Sequence, residues 1–98
     1  MRGTEEIACF DWDTGNRGKN LKKHGVTDEE SEEAFFDTAR KVLKDTPHSG
    51  SEERYILLGE TRQGKGLFIV FTIRKNRIRI ISSRTTNKKE RALYEKES

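Results

Sequence analysis

Apolar residues along this chain gather in short runs separated by polar turns. The stretches "RYILLGETR", "LFIVFTIR" and "RIRIISSRT" predict three successive strands, divided by "QGKG" and "KN". A shorter strand is expected in "ARKVLKD", and a first strand near the N-terminus in "IACFDWD". The only proline lies in the loop "PHSGSE" between two of these runs.

Three helices fit the remaining segments. Asp13 or Asn16 can cap a helix over residues 15–24, with Leu21 as its main apolar anchor and Gly25 at the left-handed position after its end. Thr27 with Glu30 three residues on forms a capping box for a second, acidic helix whose apolar side is Ala34, Phe35 and Phe36. Asn87 with Glu90 repeats the device before "KKERALYEKE". The order is β-α-α-β-β-β-β-α, an α+β class with a small antiparallel sheet in one domain, residues 1–98. Residues 1–6 read as a flexible extension.

Alternation makes the "KN" turn informative. If Lys75 and Asn76 form a two-residue hairpin, Arg74 faces Arg77, Ile73 faces Ile78, Thr72 faces Arg79, Phe71 faces Ile80 and Val70 faces Ile81. One face then collects Leu67, Ile69, Phe71, Ile73, Ile78 and Ile80, which helices must cover. The other collects Thr72, Arg74, Arg77 and Arg79, with Phe68, Val70 and Ile81 beyond. Opposed arginines repel, so an external anion is expected to relieve them. Strict alternation puts Arg84 on the face opposite Arg79, unless a bulge at Ser82-Ser83 intervenes.

Charge sharpens this picture. Residues 62–91 hold ten basic side chains and one acid, whereas residues 28–37 hold six acids and no base. The formal net charge of +3 conceals that polarity. A concentrated basic region suits a polyanion, and nucleic acid leads that class. The acidic run is read as a solvated, well-capped helix face. One cysteine and two histidines fall short of a structural zinc site, so no metal or cofactor is expected. With no long apolar run and no secretory leader, the expected setting is soluble and cytoplasmic.

The segments "FDWDTGNRGKNLKKHGVTDEESEEAFFD" and "HSGSEERYILLGETRQGKGLFIVFTIRKNRIRIISSRTTNKKERALYE" together resemble the BrnT family of ribonuclease toxins from bacterial type II toxin–antitoxin systems. The likeness runs from about Phe10 to Tyr94. It implies a RelE-like fold, cleavage of RNA (with mRNA the expected substrate), and neutralisation by a BrnA-type antitoxin that contacts DNA on the pair's behalf. The glycines at 15 and 18 depart from a strong first helix.

For such chemistry the expected catalytic residues are Arg79, Arg84, Lys23, His24 and Glu53. The arginines would stabilise a crowded phosphorane. His24 and Lys23, at a helix C-terminus, are candidates for proton transfer beside a bland role as helix-end charge. Glu53 can accept a proton or pair with an arginine. Arg54, Arg74, Arg77 and Tyr94 are expected to position RNA, and His48 is a loop histidine of open role. The alternative is a non-catalytic nucleic-acid-binding or protein-interaction module using the same basic face.

Overall fold

The computed structural model describes residues 9–46 and 50–96. Four antiparallel strands form a meander in the order β1 (Lys41–Lys44), β2 (Tyr55–Glu60), β3 (Gly66–Arg74) and β4 (Arg77–Thr85). Helices α1 (Lys19–His24) and α2 (Asp28–Phe35) precede the sheet, and α3 (Lys88–Glu95) follows it. The expected first strand amounts, among the described residues, to a single parallel bridge from Phe10 to Ile78. The N-terminal extension and His48 lie outside the described residues.

Local chemistry accounts for the element ends. Thr27 and Asn87 each cap their helix as expected, and in both cases the N3 glutamate returns a bond to the cap's backbone N–H. Gly25 ends α1 in the left-handed conformation. Lys75 and Asn76 both have positive φ, 52° and 64°, as a two-residue hairpin turn requires.

The core fills one side of the sheet. Leu57, Leu67, Ile69, Phe71, Ile78 and Ile80 are buried against Val26, Ala34 and Phe35. Phe35 meets Phe10 and Phe71 edge-on, at centroid distances of 5.3 and 5.0 Å. Ser31 of α2 donates to the Ser83 hydroxyl at 2.9 Å inside this layer. Gly59 allows α2 to lie close on β2: a Cβ there would stand 2.6 Å from the carbonyl oxygen of Ala34.

The outer edge of β4 is closed by polar groups. Asp11 N–H donates to the Ile78 carbonyl and Ile78 N–H to the Cys9 carbonyl. The Asn16 amide donates to the Ile80 carbonyl at 3.2 Å, and the Asn20 carbonyl oxygen accepts from Ser83 N–H at 3.0 Å. This inverts the expectation for the first helix. Leu21, the expected anchor, is 54 % exposed, while Asn20 is 1 % exposed. Backbone groups on an unpaired strand edge demand partners more strongly than one leucine demands burial. The helix is also shorter than expected, beginning at Lys19 after a turn that ends on left-handed Gly18.

The close approach at Gly59 gives a direct test. Gly59→Ala forces α2 away from β2 and should lower stability by about 1–3 kcal/mol in urea unfolding.

Candidate nucleic-acid interface

The register of the last hairpin changes partway along. From the turn it runs as expected: Arg74 to Arg77, Ile73 to Ile78, Thr72 to Arg79 and Phe71 to Ile80. Then Val70 pairs with Ser82 instead of Ile81, followed by Ile69 with Ser83 and Phe68 with Arg84. Ile81 is an extra residue, a β-bulge, one position before the expected Ser82-Ser83 step. An inserted residue resets the alternation. Arg79 and Arg84 therefore share the face turned away from the core.

Along this open face the pairs succeed one another from the turn. Arg74 and Arg77 come first, then Thr72 and Arg79, then Val70 with Ser82, then Phe68 and Arg84. The β2 side contributes Arg54 and Ile56, then Leu58 and Glu60. At the far end α3 reaches this face through two ion pairs, Glu90 to Arg84 and Arg91 to Glu60, the second at 2.5 Å.

The arginines are relieved from within the chain, contrary to the expectation of an external anion. Arg79 makes a two-pronged pair with Asp13, at 3.0 and 3.1 Å, and has Asp11 at 3.6 Å. Arg84 grips Glu90 in the same way, at 2.9 and 2.8 Å, with its guanidinium 4.1 Å above the Phe68 ring. Arg74 pairs with Glu52, and Arg77 donates to the Phe10 carbonyl at 3.4 Å. The hydrogen bond from Arg79 is the main cause that lowers the Asp13 pKa below its ordinary value. Arg74 does the same to Glu52, and Arg84 to Glu90. Asp13 and Glu52 arrive from 66 and 22 positions away and Glu90 from six residues beyond Arg84, all outside the hairpin, so hairpin geometry gave no sign of them.

Gly15 acquires a purpose in this arrangement. Its N–H donates to Asp13 at 2.8 Å, and a Cβ there would lie 3.2 Å from the Arg79 guanidinium. The glycine that weakens a helix makes room for the ion pair.

The other candidates separate. Lys23 and His24 occupy the exposed last turn of α1, beyond the edge of β4, with no bond to Arg79 or Arg84 among the described residues. Glu53 pairs with Lys44 at 3.0 Å and accepts from the Tyr55 hydroxyl at 2.9 Å. Lys44 and Tyr55 lower its pKa, and Tyr55 stacks on the core residue Phe71, so this carboxylate faces away from the arginines. Arg54 lines a groove on the open face. Tyr94 donates to Asp37 at 2.5 Å, and burial with that bond raises its pKa. It acts as a clasp for α3. The residues missed beforehand are Asp11, Asp13, Glu52 and Glu90, and the "FDWD" motif was the only hint of the first two. Among the described residues no group of three His, Cys, Asp or Glu is placed to hold a metal ion.

A family model described as "Ribonuclease toxin, BrnT, of type II toxin-antitoxin system" matches residues 12–90. No curated protein matches the chain.

The paired carboxylates predict acid sensitivity. Glu90 titrates lower in the folded chain than in the unfolded one, so its pair stabilises fully above the ordinary value of 4.5. That contribution is lost as pH falls through the lower folded value. The urea midpoint should hold between about pH 7 and 5 and drop below about pH 4. Glu90→Gln keeps a capping side chain, starts from a lower midpoint and should fall less on acidification, as circular dichroism would record.

Proposed function

The chain belongs to the BrnT family of ribonuclease toxins of type II toxin–antitoxin systems, and from that premise we propose a metal-independent endoribonuclease acting through the open face of the sheet. The observation that carries this reading is the presence of Arg79 and Arg84 on one face, each held in place by a carboxylate. In the reaction proposed, the ribose 2′-oxygen attacks the adjacent phosphorus and the 5′-oxygen departs. The products are a 2′,3′-cyclic phosphate and a 5′-hydroxyl.

The crowded phosphorane carries more negative charge than the diester. The Arg79 fork, fixed before the substrate arrives, stabilises that charge without reorganising, and Arg84, four strand positions along the same face, holds a neighbouring phosphate of the chain. Asp13 is exposed and holds Arg79 in a defined orientation. Its lowered proton affinity suits an orienting group better than a base. A guanidinium carries five N–H donors, so a phosphate oxygen would be bound by those that Asp13 leaves unused. Proton transfer falls to His24 and Lys23, imidazole being suited to that task near neutral pH. Glu53, engaged on the opposite face, serves its local pair. Arg54, Arg74 and Arg77 guide the RNA backbone.

A BrnA-type antitoxin would neutralise the toxin by covering this basic face, and would itself contact DNA. RNA cleavage in the cytoplasm, with mRNA as the substrate, would then stop translation when the antitoxin is lost. Charge-dominated docking of that kind weakens steeply with salt.

The test is incubation of antitoxin-free protein with a defined single-stranded RNA in EDTA, and in parallel with translating ribosomes. Cleavage should yield 2′,3′-cyclic ends, and Arg79→Ala should slow it by about 100-fold or more. Absence of cleavage in both settings, with salt-sensitive RNA binding retained, would replace the enzyme with a binding module.

A further inference from the structure

The two edges of the sheet are finished differently. The order β1-β2-β3-β4 leaves β1 and β4 outermost. On β4 the outward groups are met by Cys9, Asp11, Asn16 and Asn20. The other edge has no such cover among the described residues. Asp45 N–H donates to the Arg54 carbonyl at 2.8 Å, which fixes the alternation along the strand. Lys41 and Leu43 therefore bond to β2, while Val42 and Lys44 turn their N–H and C=O groups outward. Among the described residues nothing bonds to those outward groups.

The side chains leave this edge unguarded as well. Val42 is 51 % exposed and Leu43 44 %, one on each face of the sheet. Lysines on an edge strand ordinarily resist pairing with another chain. Here both are drawn back onto their own chain: Lys44 pairs with Glu53 at 3.0 Å, and Lys41 donates to the Lys96 carbonyl. The methylene stem of Lys44 remains as apolar surface.

The strand is also complementary to itself. In an antiparallel pair, outward-turned residues lie opposite one another, which leaves three registers between two copies. Lys44 opposite Lys44 sets like charges together. Val42 opposite Val42 brings Lys44 to Arg40, whose N–H is already bonded to the Asp37 carbonyl. Val42 opposite Lys44 uses the whole strand. It makes two bonded pairs, lays each lysine stem on the other copy's valine, and sets Leu43 against Leu43 on the two-fold axis.

We propose that β1 is a self-association edge, through which two copies of the chain join in this register into one eight-stranded sheet, four strands from each. The two-fold axis stands perpendicular to the sheet, so both arginine-bearing faces lie on the same side. Leu43 lies on that side too, beside Ile56. Each copy contributes one strand of four residues and two exposed apolar side chains. A contact this small is weak and depends on concentration. The inference makes no use of the ribonuclease reading.

Sedimentation equilibrium of the intact chain from about 10 µM to about 1 mM covers the range in which a small interface acts. Salt at about 0.5 M screens attraction between the acidic and basic surfaces of neighbouring molecules. The protein should pass from monomer to dimer across that range. Leu43→Lys, which sets like charges on the axis, should weaken the dimer about fivefold or more. Val42→Pro removes an outward N–H and no bond within the chain, so it should keep its circular dichroism and stay monomeric. Where that variant loses its fold, Leu43→Lys and a cysteine pair decide. With the exposed Cys9 replaced by serine, Leu43→Cys should form an intermolecular disulfide under diamide. Val42→Cys should form far less, because its counterpart lies diagonally across the pair, outside disulfide reach. A chain that is monomeric at about 1 mM would overturn the proposal. So would a dimer that Leu43→Lys leaves intact, or a Val42→Cys disulfide that forms as readily as that of Leu43→Cys.

Discussion

A single inserted residue, Ile81, sets the geometry of the arginine-bearing face. Side chains of a strand alternate with a period of two, so one unpaired residue exchanges the faces of everything beyond it. Without it, Arg84 would point at the buried layer, where an arginine has no water and no room. With it, Ser83 turns inward to meet Ser31, and Arg84 turns outward over Phe68. The core and the basic face are therefore consequences of the same insertion, one on each side of the sheet.

The basic face is sustained by the chain's own acids. Four arginines around one hairpin would be unfavourable alone, yet Asp13, Glu52 and Glu90 each take one and the Phe10 carbonyl takes another. Exposed pairs of this kind add little stability individually. Their effect is positional, since each guanidinium is held in a defined plane. The N-terminal turn earns its unusual composition here: "DTGN" supplies the carboxylate, the space for a guanidinium, and the asparagine that closes the sheet edge.

What could be read from the sequence was what is local. The two capping boxes, the left-handed Gly25, the Lys75-Asn76 turn and the first four cross-strand pairs all depend on residues within a few positions of one another. The bulge was foreseen only as a condition, because nothing within β4 dictates where an extra residue is absorbed; that depends on how β3 and α2 fit against it. Asn20 was passed over for Leu21, since an amphipathic reading scores apolar residues and cannot see an open strand edge awaiting a donor and an acceptor. Asp13 and Glu52 lie 66 and 22 positions from the arginines they hold, beyond any pattern of spacing, while Glu90, six residues after Arg84, reads locally as half of a capping box. Among the functional candidates, Arg79 and Arg84 share one face, whereas Lys23 and His24 stand at the rim and Glu53 turns away.

The central claim is that the face created by the bulge receives RNA. The most direct measurement is amide chemical-shift mapping of the ¹⁵N-labelled protein with a 2′-O-methyl RNA oligonucleotide that it cannot cut. The account predicts the largest perturbations at Phe68, Val70, Arg79, Ser82 and Arg84, with α2 undisturbed. Perturbations centred on the acidic surface of α2, with these five amides unmoved, would contradict it.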